Sequence, residues 1–102
     1  MNRYTLAPQA MDDLQAIWDY IGIEHDSPIA ANDQLHRFYE KFAVLATQPL
    51  MGQLRGDLRL GLRIFVADNY LILYYPLSDG IEVVGVVHAA QHVEWLFQSG
   101  QR

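Results

Sequence analysis

A chain of 102 residues has room for one domain, and its 51% apolar content against only 19% charged residues supports a packed core and excludes disorder. The absence of cysteine removes disulfides, thiolate metal sites and cysteine nucleophiles together. Seven Lys and Arg against twelve Asp and Glu give a formal charge of −5, which opposes the long-range attraction used by nucleic-acid binders, so no direct sequence-specific nucleic-acid binding by the chain alone is expected.

Asn2 to Leu6 alternates polar and apolar residues and predicts a short half-buried strand. The start Met1-Asn2-Arg3-Tyr4 lacks the charged and apolar pattern of a secretory signal, and a cytoplasmic location is expected. Pro8 suits a first helical turn, Asp12 and Asp13 favour its positive end, and Met11, Leu14, Trp18 and Ile21 recur at helical spacing to about Gly22. Ser27-Pro28 reads as a cap and first-turn proline for a second helix, with Ala31, Leu35, Phe38, Phe42 and Leu45 on its apolar face until Pro49. Gln48 to Gly61 carries Pro49, Gly52, Gly56 and Gly61 and reads as a connecting loop with room for a turn of its own.

From Leu62 the period becomes that of strands. Leu62 to Ala67, Tyr70 to Leu77 and Ile81 to His88 are separated by turns at Asp68-Asn69 and Ser78-Asp79-Gly80. The closing segment Val93 to Phe97 is too short to persist alone, and its Trp95 and Phe97 call for docking on the sheet or on a partner. Residues 1–102 thus read as a single α+β domain, β-α-α-β-β-β with a short C-terminal helix, an antiparallel meander packed on one face by a helical hairpin. In the strand from Tyr70 to Leu77, Leu71, Leu73 and Tyr75 share one side and Tyr70, Ile72 and Tyr74 the other, which predicts a binding groove on the face without the hairpin. The longest apolar run, Tyr70 to Leu77, is too short to span a bilayer, and no membrane association is expected.

Five blocks resemble the ParE branch of the RelE/ParE toxin superfamily in order and spacing: Leu14 to Ile21, Gln48 to Gly52, Asp57 to Arg63, Asn69 to Tyr75 and Val87 to His92. Together they span nearly the whole chain. The resemblance implies a RelE-like fold, the toxin role in a type II toxin–antitoxin pair, a ParD-like antitoxin, and poisoning of DNA gyrase. The apolar character of both sides of the strands from Tyr70 to Leu77 and Ile81 to His88 leads to the expectation that the antitoxin segment covers the predicted groove, against Leu71, Leu73, Tyr75, Trp95 and Phe97. Two positions depart from the family pattern. Ala7 stands where relatives usually have a helix-capping serine, and Gln91 stands where many carry a basic residue.

Arg55, Arg59 and Arg63 gather three of the seven basic residues at the loop-to-strand junction. They read either as solvated partners of Asp57 and Asp68 or as guanidinium contacts to a carboxylate or phosphate on the target. In ribonuclease members of the superfamily a histidine works beside an arginine, and the counterparts here are His88 and Arg63. Such enzymes hold messenger RNA with several basic residues, whereas this chain has one lysine, Lys41. The alternative reading of His88 is a strand-end histidine bonded to backbone. His88 and His92 lack a third metal ligand, Ser27, Ser78 and Ser99 fall in caps, turns or tail, and Tyr70, Tyr74 and Tyr75 read as core rather than as base-stacking rings. No cofactor or metal is expected.

Overall fold

The computed structural model describes residues 2–98. Strand β1 (Arg3–Leu6) leads into helix α1 (Pro8–Asp19), a single wide π turn (Tyr20–Glu24) and helix α2 (Pro28–Thr47). Strands β2 (Gln53–Leu54), β3 (Arg63–Ala67), β4 (Tyr70–Leu77) and β5 (Gly80–His88) follow, and helix α3 (Val93–Gln98) closes the described chain. The sheet runs β1-β5-β4-β3-β2. The expected meander is there, with β1 added in parallel beside β5 and β2 added at the far edge from within the connecting loop.

Helix α1 starts without a side-chain cap at Ala7, whose own N–H is taken by the Val83 carbonyl at 2.9 Å. Ser27 holds the cap position of α2 but its side chain makes no capping bond, so the expected serine cap is absent. The predicted end of the first helix near Gly22 also needs correction. The α-helical pattern stops at Asp19, and the chain widens through the π turn, where a Cβ on Gly22 would stand 2.8 Å from the Trp18 ring. That ring crosses to α2, its indole N–H donating to Asn32 Oδ1 at 2.8 Å.

The helical hairpin packs on one sheet face. Leu14 and Ile17 of α1 and Phe38, Phe42 and Leu45 of α2 close over Ile72, Tyr74, Ile81, Val83 and Val86. A bulge in β5 decides which residues arrive there. Leu73 pairs with Gly85 but Tyr74 pairs with Val83, so Val84 is the extra residue. Ile81, Val83 and Val86 therefore all face the hairpin, while Val84 and Val87 face the other side. Beyond the Leu6–Val83 pair no described strand flanks β5 on the β1 side, and Asp13 covers that edge, its Oδ2 accepting the Val86 N–H at 2.9 Å. Asp13 thus serves the sheet rather than the positive end of its helix, whose first turn holds no acid.

The opposite face carries a second core of Leu62, Ile64, Leu73 and Val87 beneath Val93 and Leu96 of α3. The closing segment docks on the sheet as expected, but Val93 and Leu96 are its buried residues, whereas Trp95 stays 58% exposed. At the β3–β4 turn Asp68 takes a left-handed conformation and accepts bonds from Gln34 and Arg37 of α2. Gln34 and then Arg37 hold its carboxyl below the ordinary carboxylate value.

Candidate functional site

The arginine-rich loop between β2 and β3 is folded by its own backbone: Arg55 N–H bonds to Leu62 O at 2.8 Å, Leu58 N–H to Arg55 O at 3.0 Å and Leu62 N–H to Arg59 O at 3.0 Å. The three arginines point to different partners. Arg55 grips Asp57 with two bonds of 3.0 and 2.9 Å and reaches Glu94 of α3 at 3.2 Å. Asp57 first and Glu94 second push the Arg55 guanidinium further above its ordinary value, and Arg55 holds Asp57 below its own. Arg63 Nη1 donates to Gly52 O at 2.7 Å and to Leu50 O at 3.2 Å, stitching the segment between α2 and β2 to β3. Arg59 is exposed, its guanidinium carbon 5.0 Å from the centre of the Phe97 ring. Next to it Leu60 is 93% exposed. Arg55 thus pairs with Asp57, one of the two acids expected for the cluster, while Asp68, the other, pairs with Arg37.

Under the segment between α2 and β2 lies a buried hydroxyl. Tyr74 is fully buried, its OH accepting the Gly52 N–H at 2.8 Å and donating to Pro49 O at 2.8 Å. Burial raises its pKa, with the Gly52 bond and Arg63 acting in the opposite direction. Tyr74→Phe leaves a buried N–H and a carbonyl without their partner, and an unmade buried bond costs about 1–3 kcal/mol. Urea unfolding should register that loss with an unchanged slope. A variant as stable as the parent would show that water replaces the hydroxyl.

His88 ends β5. Its Nδ1 accepts the Ala90 N–H at 3.0 Å, and its ring meets Tyr70 edge-on with centres 5.4 Å apart. Strand β4 pairs Tyr70 with His88 on one side and Tyr74 with Arg63 on the other. Four residues of rise and two strand spacings place the His88 and Arg63 backbones roughly 16 Å apart, at opposite ends of the sheet. The fold does not bring this pair together. Among the described residues no group of three or more His, Asp or Glu side chains converges as a metal site, and Ser99 lies outside the described residues.

The expected antitoxin contacts fall on two surfaces. Leu71, Leu73, Tyr75 and Phe97 belong to the second core, with Leu73 fully buried and the other three half-buried at its margin. Trp95 looks the other way, into an open cleft of about 910 Å³ between α1, the edge of β5 beyond β1, and α3. Asp13, Tyr20, Tyr70, Val86, His88 and Gln91 are among the other residues of its wall. Sequence reasoning did not find this cleft, because its walls meet only after β5 has passed β1. Nor did it find Glu94, which stands 39 residues from Arg55 in the chain.

A family model for the ParE toxin of type II toxin-antitoxin systems, parDE, matches residues 4–93. Among solved structures, one titled "Chromosomal ParDE TA system from P. aeruginosa" has a chain similar at a TM-score of 0.69 and 19% identity, covering 86% of this chain and 96% of that one. At that identity the likeness speaks for the fold alone. No curated protein sequence matches the chain. With most of its length inside the family pattern and the same fold around it, the chain belongs to the ParE toxins of type II toxin–antitoxin systems.

Proposed function

We propose that this toxin acts in the cytoplasm by binding DNA gyrase, without chemistry of its own, and that a ParD-like antitoxin neutralises it. The observation that carries the non-catalytic reading is the separation of His88 from Arg63, which keeps the imidazole expected to move the proton away from the guanidinium expected to stabilise charge. The single lysine, Lys41, sits on α2 and adds nothing to a nucleic-acid track on the sheet. No helix among the described residues is long and apolar enough to cross a membrane.

Of the three arginines, Arg59 is assigned the direct contact with gyrase, with Arg55 holding the loop that presents it and Arg63 tying the preceding α2–β2 segment to the sheet. The antitoxin segment is assigned to the margin of the second core, over Leu71, Tyr75 and Phe97 around the buried Leu73, and onward to Trp95. Coupled folding of such a segment buries on the order of 1,000–3,000 Å². Purified toxin added to gyrase and plasmid should block supercoiling and leave cleaved plasmid trapped on the enzyme, with antitoxin reversing both. Untouched gyrase activity together with cutting of translated messages would replace this reading by that of a ribosome-dependent ribonuclease.

A further inference from the structure

Helix α3 is too short to stand alone, and its six residues divide among three neighbours. Of these, Gln98 is exposed, Val93 and Leu96 enter the second core, and Trp95 lines the cleft. Glu94 and Phe97 are three positions apart and share one side of the helix, the side that meets the arginine loop. Glu94 Oε1 accepts Arg55 Nη2 at 3.2 Å, and the Phe97 ring lies 5.0 Å from the Arg59 guanidinium. Two successive contacts on the helix thus match two arginines four apart in the loop.

Resting on the reading of this loop as the gyrase contact, we propose that Glu94 and Phe97 are positioning residues, which hold Arg55 and Arg59 in binding geometry from outside the loop. The middle of the loop, from Gly56 to Gly61, has little core of its own, although Leu62 at its end is fully buried in the second core. Leu58 is half-buried, Leu60 is in solvent, and the Asp57 partner of Arg55 lies within the loop and moves with it. The Glu94 and Phe97 contacts tie it to a separate element. Arg55 stands only 26% exposed between its two carboxylates, so its fork leaves both partners little freedom. Phe97 narrows the rotamers of Arg59, so part of the ordering cost of binding is met before gyrase arrives. The Glu94 carboxyl is held below its ordinary value by its own backbone N–H and then by Arg55, as an engaged carboxylate would be.

Amide hydrogen exchange on the full-length toxin separates the loop from the core, because the Leu58 and Leu62 amides bond within the loop while Ile72 lies in the central strand. Glu94→Gln, a surface change that leaves the core intact, and Phe97→Ala should each speed exchange at Leu58 and Leu62 by roughly 3–10-fold, the protection that one or two such contacts supply. Ile72 should be unaffected, Phe97→Tyr should restore slow exchange, and Trp95→Ala, on the cleft side, should leave the loop at parental rates. The same two loop-releasing variants should need about 3–10-fold more toxin to inhibit gyrase, matching the exchange factor. Parental exchange in both Glu94→Gln and Phe97→Ala overturns the proposal, and so does acceleration that is equal at Ile72. Parental exchange with weakened inhibition also overturns it, since Phe97 would then touch gyrase itself. Loop release with unchanged inhibition leaves the clamp standing and overturns the reading of the loop as the gyrase contact.

Discussion

Deleting the chain from Val93 onward is expected to lower the melting temperature by at least about 12 °C, because two buried side chains at roughly 1.5–3 kcal/mol each are lost and each kcal/mol moves a domain of this size by roughly 4–8 °C. Val93 and Leu96 are both more than nine-tenths buried, and they roof Leu62, Ile64, Leu73 and Val87. Without them a contiguous apolar face of the sheet opens to water. The truncated protein should therefore bind a hydrophobic dye as well as melt early. Trp95→Ala is the control: its ring is largely in solvent, and a surface substitution of that kind moves stability by about 0.5 kcal/mol or less. A truncation that melts with the parent would mean that α3 contributes nothing to the fold and that the second core is closed by other means.

The second large effect divides binding from catalysis. His88→Ala should leave growth inhibition within about twofold of the parent, whereas removal of a positioned acid or base costs an enzyme about 10²–10⁴-fold. Charge reversal at Arg59 should weaken inhibition strongly, because a guanidinium at a protein contact governs both encounter and fit. Arg59 is a cleaner choice for this than Arg63, whose Nη1 holds the Gly52 and Leu50 carbonyls, so that reversing its charge would also release the segment between α2 and β2. Two outputs need to be followed in cells expressing each variant: the DNA-damage response and the integrity of translated messages. A parent toxin that cuts messages without damaging DNA, and loses that activity with His88→Ala, would refute the gyrase reading.

The elements could be read from local periodicity wherever periodicity is what makes them. Phe38, Phe42 and Leu45 mark the buried side of α2 because a helix returns to the same face every three or four residues. Leu71 and Leu73 separate from Tyr70 and Ile72 because a strand alternates. The same reasoning cannot see the bulge, since an extra Val84 changes which valines of β5 face the hairpin without changing composition. It overrated the aromatic residues of the closing segment, because size and apolarity say that a ring gains from burial but not that the smaller Val93 and Leu96 occupy the inner side. The arginine cluster was visible as charge. Its division into an ion-paired clamp, a backbone staple and a stacked, exposed guanidinium was not, because those partners are 39, 11 and 38 residues away in the chain at Glu94, Gly52 and Phe97.

The parallel pairing of β1 with β5 also sets a schedule. Leu6 is partnered by Val83, so the first strand made has no place in the sheet until 77 further residues have been joined. At about 5–20 residues per second, the ribosome holds that strand unpaired for roughly 4–15 s. Contacts so distant in sequence also make for a slow final closure once the chain is free. During that interval the hairpin of α1 and α2 exists without the sheet that buries Phe38 and Phe42. The newborn polypeptide is therefore sticky before it is poisonous, and an antitoxin already present in the cell meets it in that order.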